Sequence, residues 1–353
     1  VIDFRYHLVS LISVFLALAV GIVLGAGPLQ GNLGSQLTGQ VEQLRTEKEQ
    51  LRTDNETVSH GNDELAAYIS ETGPRLVAGT LTGTRTAVVL DDSSAQQPVD
   101  QIRSLVKDAG GQEGPTVRLE SALWDPTEEK TRAGALESVD KVSPDVVSAA
   151  HDNAPSSSAT LAAIITRVLV DPDLESSTRA SLWDALGKAG LVTVDGDTDE
   201  PVGGVIYAGA DPSDLTVAGD SSDEASLRAQ ALLEAQTQTL TTLVGQHTPS
   251  VVAGVTPAND DSTGLLRTVR GDRRFDTVST TDRLQQADGP ELAVLALAEQ
   301  LQGGVGSYGT ASDVDGRVPD VTPGSAGAGK DDKDHSDAGT DAGDSDGSDG
   351  GQG

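Results

Sequence analysis

Cysteine and methionine are both absent from the 353 residues, and aromatic residues make up only 3%. Without cysteine there is no disulfide framework, thiolate metal site, Fe–S cluster or cysteine nucleophile. The absence fits an oxidising compartment. With so few aromatic rings, any core must be packed from small and branched aliphatic side chains. Basic residues are scarce as well: 24 Lys and Arg stand against 55 Asp and Glu, a net charge of −31. That balance argues against a nucleic-acid partner, because phosphate binding needs a basic face. A strongly acidic surface keeps a protein soluble and repels anionic lipid.

Several signatures of chemistry are missing too. There is no G-x-x-x-x-G-K-[ST] phosphate loop, no G-x-G-x-x-G after a strand, and no G-x-S-x-G elbow. The five histidines are His7, His60, His151, His247 and His335. None lies three or four residues from another, so no helical metal-binding pair exists. Carboxylates are so abundant that picking a catalytic pair from them has no meaning. The sequence therefore suggests a protein that is not an enzyme and needs no cofactor.

What the chain does have begins with an apolar run. Leu8 to Ala26 reads LVSLISVFLALAVGIVLGA, without a charge. Its 19 residues span about 28 Å as a helix, close to the ~30 Å hydrocarbon core of a bilayer. A signal peptide has a shorter apolar stretch and an A-x-A-like cleavage site. This stretch ends instead in Gly25-Ala26-Gly27-Pro28, which suggests a retained transmembrane anchor over residues 8–26. Arg5 precedes it and the next basic residue is Arg45, so the positive-inside rule puts residues 1–7 in the cytoplasm and the bulk of the chain outside. Ser13, Ala17, Gly21 and Gly25 recur at every fourth position. Such a face lets two membrane helices pack closely, although small residues are common in membrane helices in any case.

Residues 27–36 hold Gly27, Pro28, Gly31 and Gly34 and read as a linker. A heptad pattern then runs over residues 37–72. Its d positions are Leu37, Leu44, Leu51, Val58 and Leu65, and its a positions are Val41, Lys48, Asn55, Asn62 and Ile69. The unbroken alternation of three- and four-residue spacings marks a coiled coil. Polar residues at a cost stability but fix register and favour two strands. A single amphipathic helix packed on its own domain would normally show a wider apolar face. The pattern thus predicts a parallel homodimer, and Gly73-Pro74 predicts the end of the helix.

Between residues 75 and 321, apolar strands alternate with helical patterns. Strands are expected at 86–90, 116–119, 191–194, 204–207, 251–255 and 275–279. Helices are expected at 101–109, 159–170, 177–189, 222–245, 265–269 and 290–302. This alternation predicts an α/β sandwich with a largely parallel sheet. Ligands of such sheets sit beyond the carboxyl ends of strands. Those ends carry Asp91-Asp92-Ser93, Ala208-Gly209-Ala210-Asp211 and Thr256-Pro257-Ala258-Asn259-Asp260. Helix capping and turn chemistry account for the same residues equally well. Residues 322–353, rich in Gly, Asp and Ser, read as a disordered acidic tail. The run from Asp331 to Asp337, with His335, has the donors for weak divalent-cation contact, while the run from Asp344 to Asp349 lacks the closing Glu of a calcium loop.

The opening Ile2-Asp3-Phe4-Arg5-Tyr6-His7-Leu8-Val9-Ser10-Leu11, followed by an apolar helix and a coil, resembles the actinobacterial MctB family. So does the closing stretch from Val278-Ser279-Thr280-Thr281-Asp282 through Leu292–Gln300 to Gly306-Ser307-Tyr308-Gly309. The resemblance covers residues 2 to about 310 and carries no catalytic signature. It implies a cell-envelope protein of the copper-transporter type, tied to copper homeostasis. Some relatives, called SteB, imply another role: control of cell separation and peptidoglycan hydrolysis, together with a second membrane protein. Copper enters by this resemblance alone. Cu(I) prefers cysteine and methionine ligands, and the chain has neither. Nor do the short, uniformly apolar strands fit a membrane barrel, which needs at least eight strands of about 9–11 alternating residues. Two readings follow: copper transport or homeostasis acting indirectly, and a dimeric envelope scaffold.

Overall fold

The computed structural model describes residues 4–91, 93–151, 154–211, 221–257 and 264–322, with the side chains of 26–36 outside that description. The acidic tail from 323, with His335, also lies outside the described residues. Contacts divide the chain into two units that meet between Glu71 and Thr72.

The first unit belongs to one helix, α1, which runs from Phe4 to Val77. Its stretch Phe4–Gly25 is long and apolar enough to cross a membrane. All side chains from 4 to 25 and from 37 to 60 are exposed. Where the sequence suggested a linker over residues 27–36 and a stop at Gly73-Pro74, the backbone is helical throughout. Glycine weakens a helix by about 1 kcal/mol relative to alanine without forbidding it. A proline removes one amide donor and costs about 3 kcal/mol, which the many flanking turns outweigh. Gly73 serves close packing instead of a stop. A Cβ there would lie 2.4 Å from Glu291 Oε1.

The second unit is the expected α/β sandwich. Seven strands form its sheet: β1 Arg85–Leu90, β2 Gln112–Leu119, β3 Val192–Asp195, β4 Gly204–Ala208, β5 Ser250–Ala253, β6 Ser279–Thr281 and β7 Ser307–Tyr308. Their order is β3-β2-β1-β4-β5-β6-β7. Every neighbouring pair is parallel except β2 and β3.

Helices cover both faces, which is why the central strands are uniformly apolar. On one face Ala87 and Val89 of β1 join Val205 and Tyr207 of β4. They pack under α3 (Glu129–Val142), α4 (Pro144–His151), α5 (Ser157–Val170), α6 (Ser176–Lys188), α7 (Ser222–Gly245) and α8 (Leu265–Gly271). On the other face Val88, Leu90, Ile206 and Ala208 meet α2 (Gln96–Asp108) and α9 (Gly289–Leu301).

Three local departures from the sequence reading have identifiable causes. Helices α3 and α4 were not expected, because α3 buries only Arg132, Ala135 and Val139 and so shows almost no apolar stripe. The strand expected at 275–279 is shifted to Ser279–Thr281. Phe275 instead closes a 3-10 turn, Arg273–Phe275, with its ring buried. Strand β7 is two residues long, too short to show a period.

Candidate functional site

The sheet reverses direction of growth between β1 and β4, since β1 leads to α2 on one face and β4 to α7 on the other. In open α/β sheets this switch point opens a crevice at the carboxyl ends of the strands. Here that place is occupied by the protein's own groups. Asp91, one residue past β1, is 4% exposed. Its Oδ1 accepts a hydrogen bond from the Ala210 amide at 2.6 Å. Its Oδ2 accepts from the Tyr207 hydroxyl at 2.7 Å and from Gln236 Nε2 at 2.6 Å. Gln236 Nε2 also donates to the Ala210 carbonyl at 2.9 Å. Burial, together with the neighbouring Asp91 carboxylate, pushes the Tyr207 hydroxyl well above its ordinary pKa of 10.0. A phenol held neutral serves here as a permanent donor. The arrangement ties β1, β4 and α7 together and leaves Asp91 committed to structure.

A second buried carboxylate lies one residue past β6. Asp282 is completely buried and accepts from the amides of Thr310 at 2.9 Å and Ala311 at 3.1 Å. Arg270 of α8 reaches its Oδ2 at 3.3 Å, Thr280 Oγ1 at 2.8 Å and Asp313 Oδ1 at 2.9 Å. Thr256 donates its hydroxyl to the Asp282 carbonyl at 2.7 Å. Gly309 makes the close approach possible. Its φ is +135°, and a Cβ there would lie 2.0 Å from Asp282 Oδ1. The result is a clamp that fixes the segment after β7 onto the end of the sheet. Both carboxylates therefore perform the same task, joining strand ends to the segments that follow.

The candidate residues of the sequence distribute unevenly over this edge. Asp91 and Ala210 do meet, whereas Thr256 belongs to the Asp282 clamp. Asp92 and residues 258–260 lie outside the described residues. Gln236 carried a legible signal, since it falls between Leu232 and Leu240 on the buried stripe of α7. Tyr207 and Asp282 carried little, because a tyrosine within an apolar strand and an aspartate after one are both ordinary.

On α1, the d residues Leu37, Leu44, Leu51, Val58 and Leu65 are 58 to 69% exposed, and Val41 at a is 45% exposed. Lys48, Asn55 and Asn62 are exposed as well, and Ile69 is partly covered. Of the small membrane-helix residues, Ser13 donates its hydroxyl to the Val9 carbonyl at 2.8 Å, and a Cβ at Gly21 or Gly25 would meet nothing within 4 Å. Ala17 is exposed between them.

Residues 1–319 match the family described as "Copper transport outer membrane protein, MctB". The chain belongs to the MctB family. It is 30% identical over 320 residues to the copper transporter MctB of Mycobacterium leprae, covering 87% of this chain and 96% of the relative. It is 27% identical over 323 residues to the copper transporters MctB of Mycobacterium tuberculosis and Mycobacterium bovis, covering 88% of this chain and 96% of each relative.

The donors of this MctB-family chain fit Cu(I) poorly. With no thiol or thioether, only imidazole, carboxylate and backbone oxygen remain. Among the described residues, no group of three His, Asp or Glu side chains lies close enough to hold a metal ion. His7 and His60 belong to α1, His151 ends α4, and His247 sits in the turn after α7. His60 lies 3.5 Å from Glu64 on the exposed helix surface.

Proposed function

We propose that the chain is a membrane-anchored cell-envelope scaffold whose contribution to copper transport or homeostasis is indirect. It acts as a parallel homodimer, without catalysis and without a cofactor. Residues 1–7 face the cytoplasm and the α/β unit lies outside, held at the membrane by the apolar part of α1. Any effect on copper then arises through envelope organisation or a partner protein. The observation that carries this reading is the row of exposed Leu and Val side chains on α1, set in a chain with no soft copper ligands. A surface helix rarely leaves such a stripe in water unless something covers it. Membership of a family whose described members are copper transporters supports the copper connection.

The second reading, a dimeric scaffold that controls cell separation with a membrane partner, rests on the same stripe. A deletion strain separates the two when copper accumulation and septation are measured side by side. The copper reading expects altered copper content with normal septa. The second expects chained cells with normal copper content. Titration of the purified chain with Cu(I) against a chelator tests indirectness: a stoichiometric tight site that survives removal of residues 322–353 would restore direct handling.

A further inference from the structure

The residues flanking the exposed stripe of α1 are segregated by charge in a way that the stripe itself does not require. With Leu44 and Leu51 at d and Lys48 at a, the e positions on one side of the stripe hold Arg45 and Arg52. The g positions on the other side hold Glu47 and Asp54. In a parallel coil, g of one helix meets e of the next heptad on its partner, whereas in an antiparallel coil g meets g and e meets e.

From this complementarity we infer that the α1 stripe recognises a second copy of this chain, parallel and in register. The inference rests on the dimeric reading above and adds what selects the partner. Parallel and in register, Glu47 faces Arg52 of the second copy on both sides of the coil. Antiparallel, Arg meets Arg and acid meets acid. The polar a residues choose among the parallel registers. In register, Asn55 faces Asn55 and Asn62 faces Asn62, so each amide has a matching donor and acceptor. A slip of one heptad puts Asn62 against Ile69 and leaves an amide in the seam without a polar partner. Lys48 at a lies beside Glu47 of the second copy, which accepts its charge at the edge of the seam.

In the single chain, these groups hold only local substitutes on the helix surface. Gln43 donates to Glu47 at 2.8 Å, and Arg52 pairs with Glu56 at 3.0 Å with side chains 70% and 65% exposed. Exposed pairs of that kind contribute little and exchange readily. Both acid and base are therefore available to a second helix.

The absence of native cysteine makes a direct test simple. Full-length chains carrying Leu51→Cys, in two tag lengths, are reconstituted together in lipid vesicles, and disulfide-linked species are scored as like or mixed pairs. The parent chain is expected to crosslink statistically. Glu47→Arg and Arg52→Glu chains, each alone, should show dimer affinity lowered about five-fold, from two attractive contacts turned repulsive. Mixed with each other, they should regain parent affinity and favour mixed pairs over the statistical share. A merely structural role within one helix, such as the Gln43–Glu47 contact, would not be rescued by mixing. Crosslinking that is indifferent to both charge variants would overturn the register inference and leave the dimer standing. Absence of crosslinking in the parent chain would overturn the dimer and this inference together.

Discussion

The two units of this chain solve the problem of burial in opposite ways. The α/β unit from Thr72 onward places helices on both faces of its sheet and buries its own apolar side chains, with two clusters centred on alternate residues of β1 and β4. Among the described residues, the helix up to Glu71 buries almost nothing. Its membrane-length stretch and its heptad stripe are both exposed along the single chain. Intrahelical pairs such as Gln43–Glu47 and Arg52–Glu56 are worth only about 0.2–0.5 kcal/mol each. Most helices in proteins are stabilised by tertiary packing, and the single chain supplies little of it here; in the proposed dimer, lipid and a second helix would supply it. The α/β unit covers its own apolar surface, while the heptad stripe of α1 stays exposed along the single chain.

The largest effect should come from Leu51→Asp in the stripe. In the proposed dimer two leucines leave the seam, a loss of roughly 3–6 kcal/mol before the added like charges are counted. Sedimentation of the full chain in micelles should show dissociation while the near-ultraviolet dichroism of the α/β unit is unchanged. Loss of both signals together would break the contrast between the units.

Next comes Asp282→Ala, which leaves buried Arg270 with Asp313 as its remaining carboxylate partner and frees the amides of Thr310 and Ala311. The Asp282 side chain is 0% exposed, so two amides left unsatisfied beside a weakened ion pair should cost about 2–4 kcal/mol. Urea denaturation followed by tyrosine and tryptophan signals of the α/β unit measures it. A midpoint within error of the parent would show that the clamp does not hold the unit together.

Tyr207→Phe should cost less, about 1–2 kcal/mol, by removing one donor from buried Asp91. The sign of its pH dependence follows from the raised pKa. The neutral hydroxyl stabilises the fold fully below pH 10, and that contribution is lost as the pH climbs past 10 toward the folded value. The variant should therefore unfold less steeply with alkali than the parent. Equal slopes would locate the alkaline transition elsewhere.

The smallest effect should come from Glu291→Gln. Burial, with Asp288 adding repulsion, raises the Glu291 carboxyl above 4.5, and its Oε2 has no partner among the described residues. A carboxyl whose folded pKa is raised stabilises fully below the unfolded value and loses that contribution as pH rises through the folded one. The amide variant should match the parent below pH 4 and be slightly more stable at pH 7, by about 1 kcal/mol or less on the scale of a single buried polar group. Melting temperatures at the two pH values check this, and a variant less stable at pH 7 would reverse the sign.

Much of this architecture is legible in the residues themselves. The run from Leu8 to Ala26, the heptads from Leu37 to Ile69 and the apolar strands around Val88 and Ile206 all announce themselves by length or period. These are local regularities, set by the geometry of one helix or one strand against its solvent. Even Gln236 could be read as a polar break in the stripe of α7. Tertiary structure decided what periodicity cannot carry. Helix α3 buries Arg132, Ala135 and Val139 in the domain, a placement that its weak apolar stripe does not announce. Gly73 is a contact with Glu291 instead of a terminator, and the helix passes through residues 27–36 because a few unfavourable residues do not outweigh the turns around them. The pairing of Asp91 with Tyr207 and of Asp282 with Arg270 joins groups 116 and 12 residues apart. Such pairs exist only where folding removes water and obliges each buried polar group to find a partner.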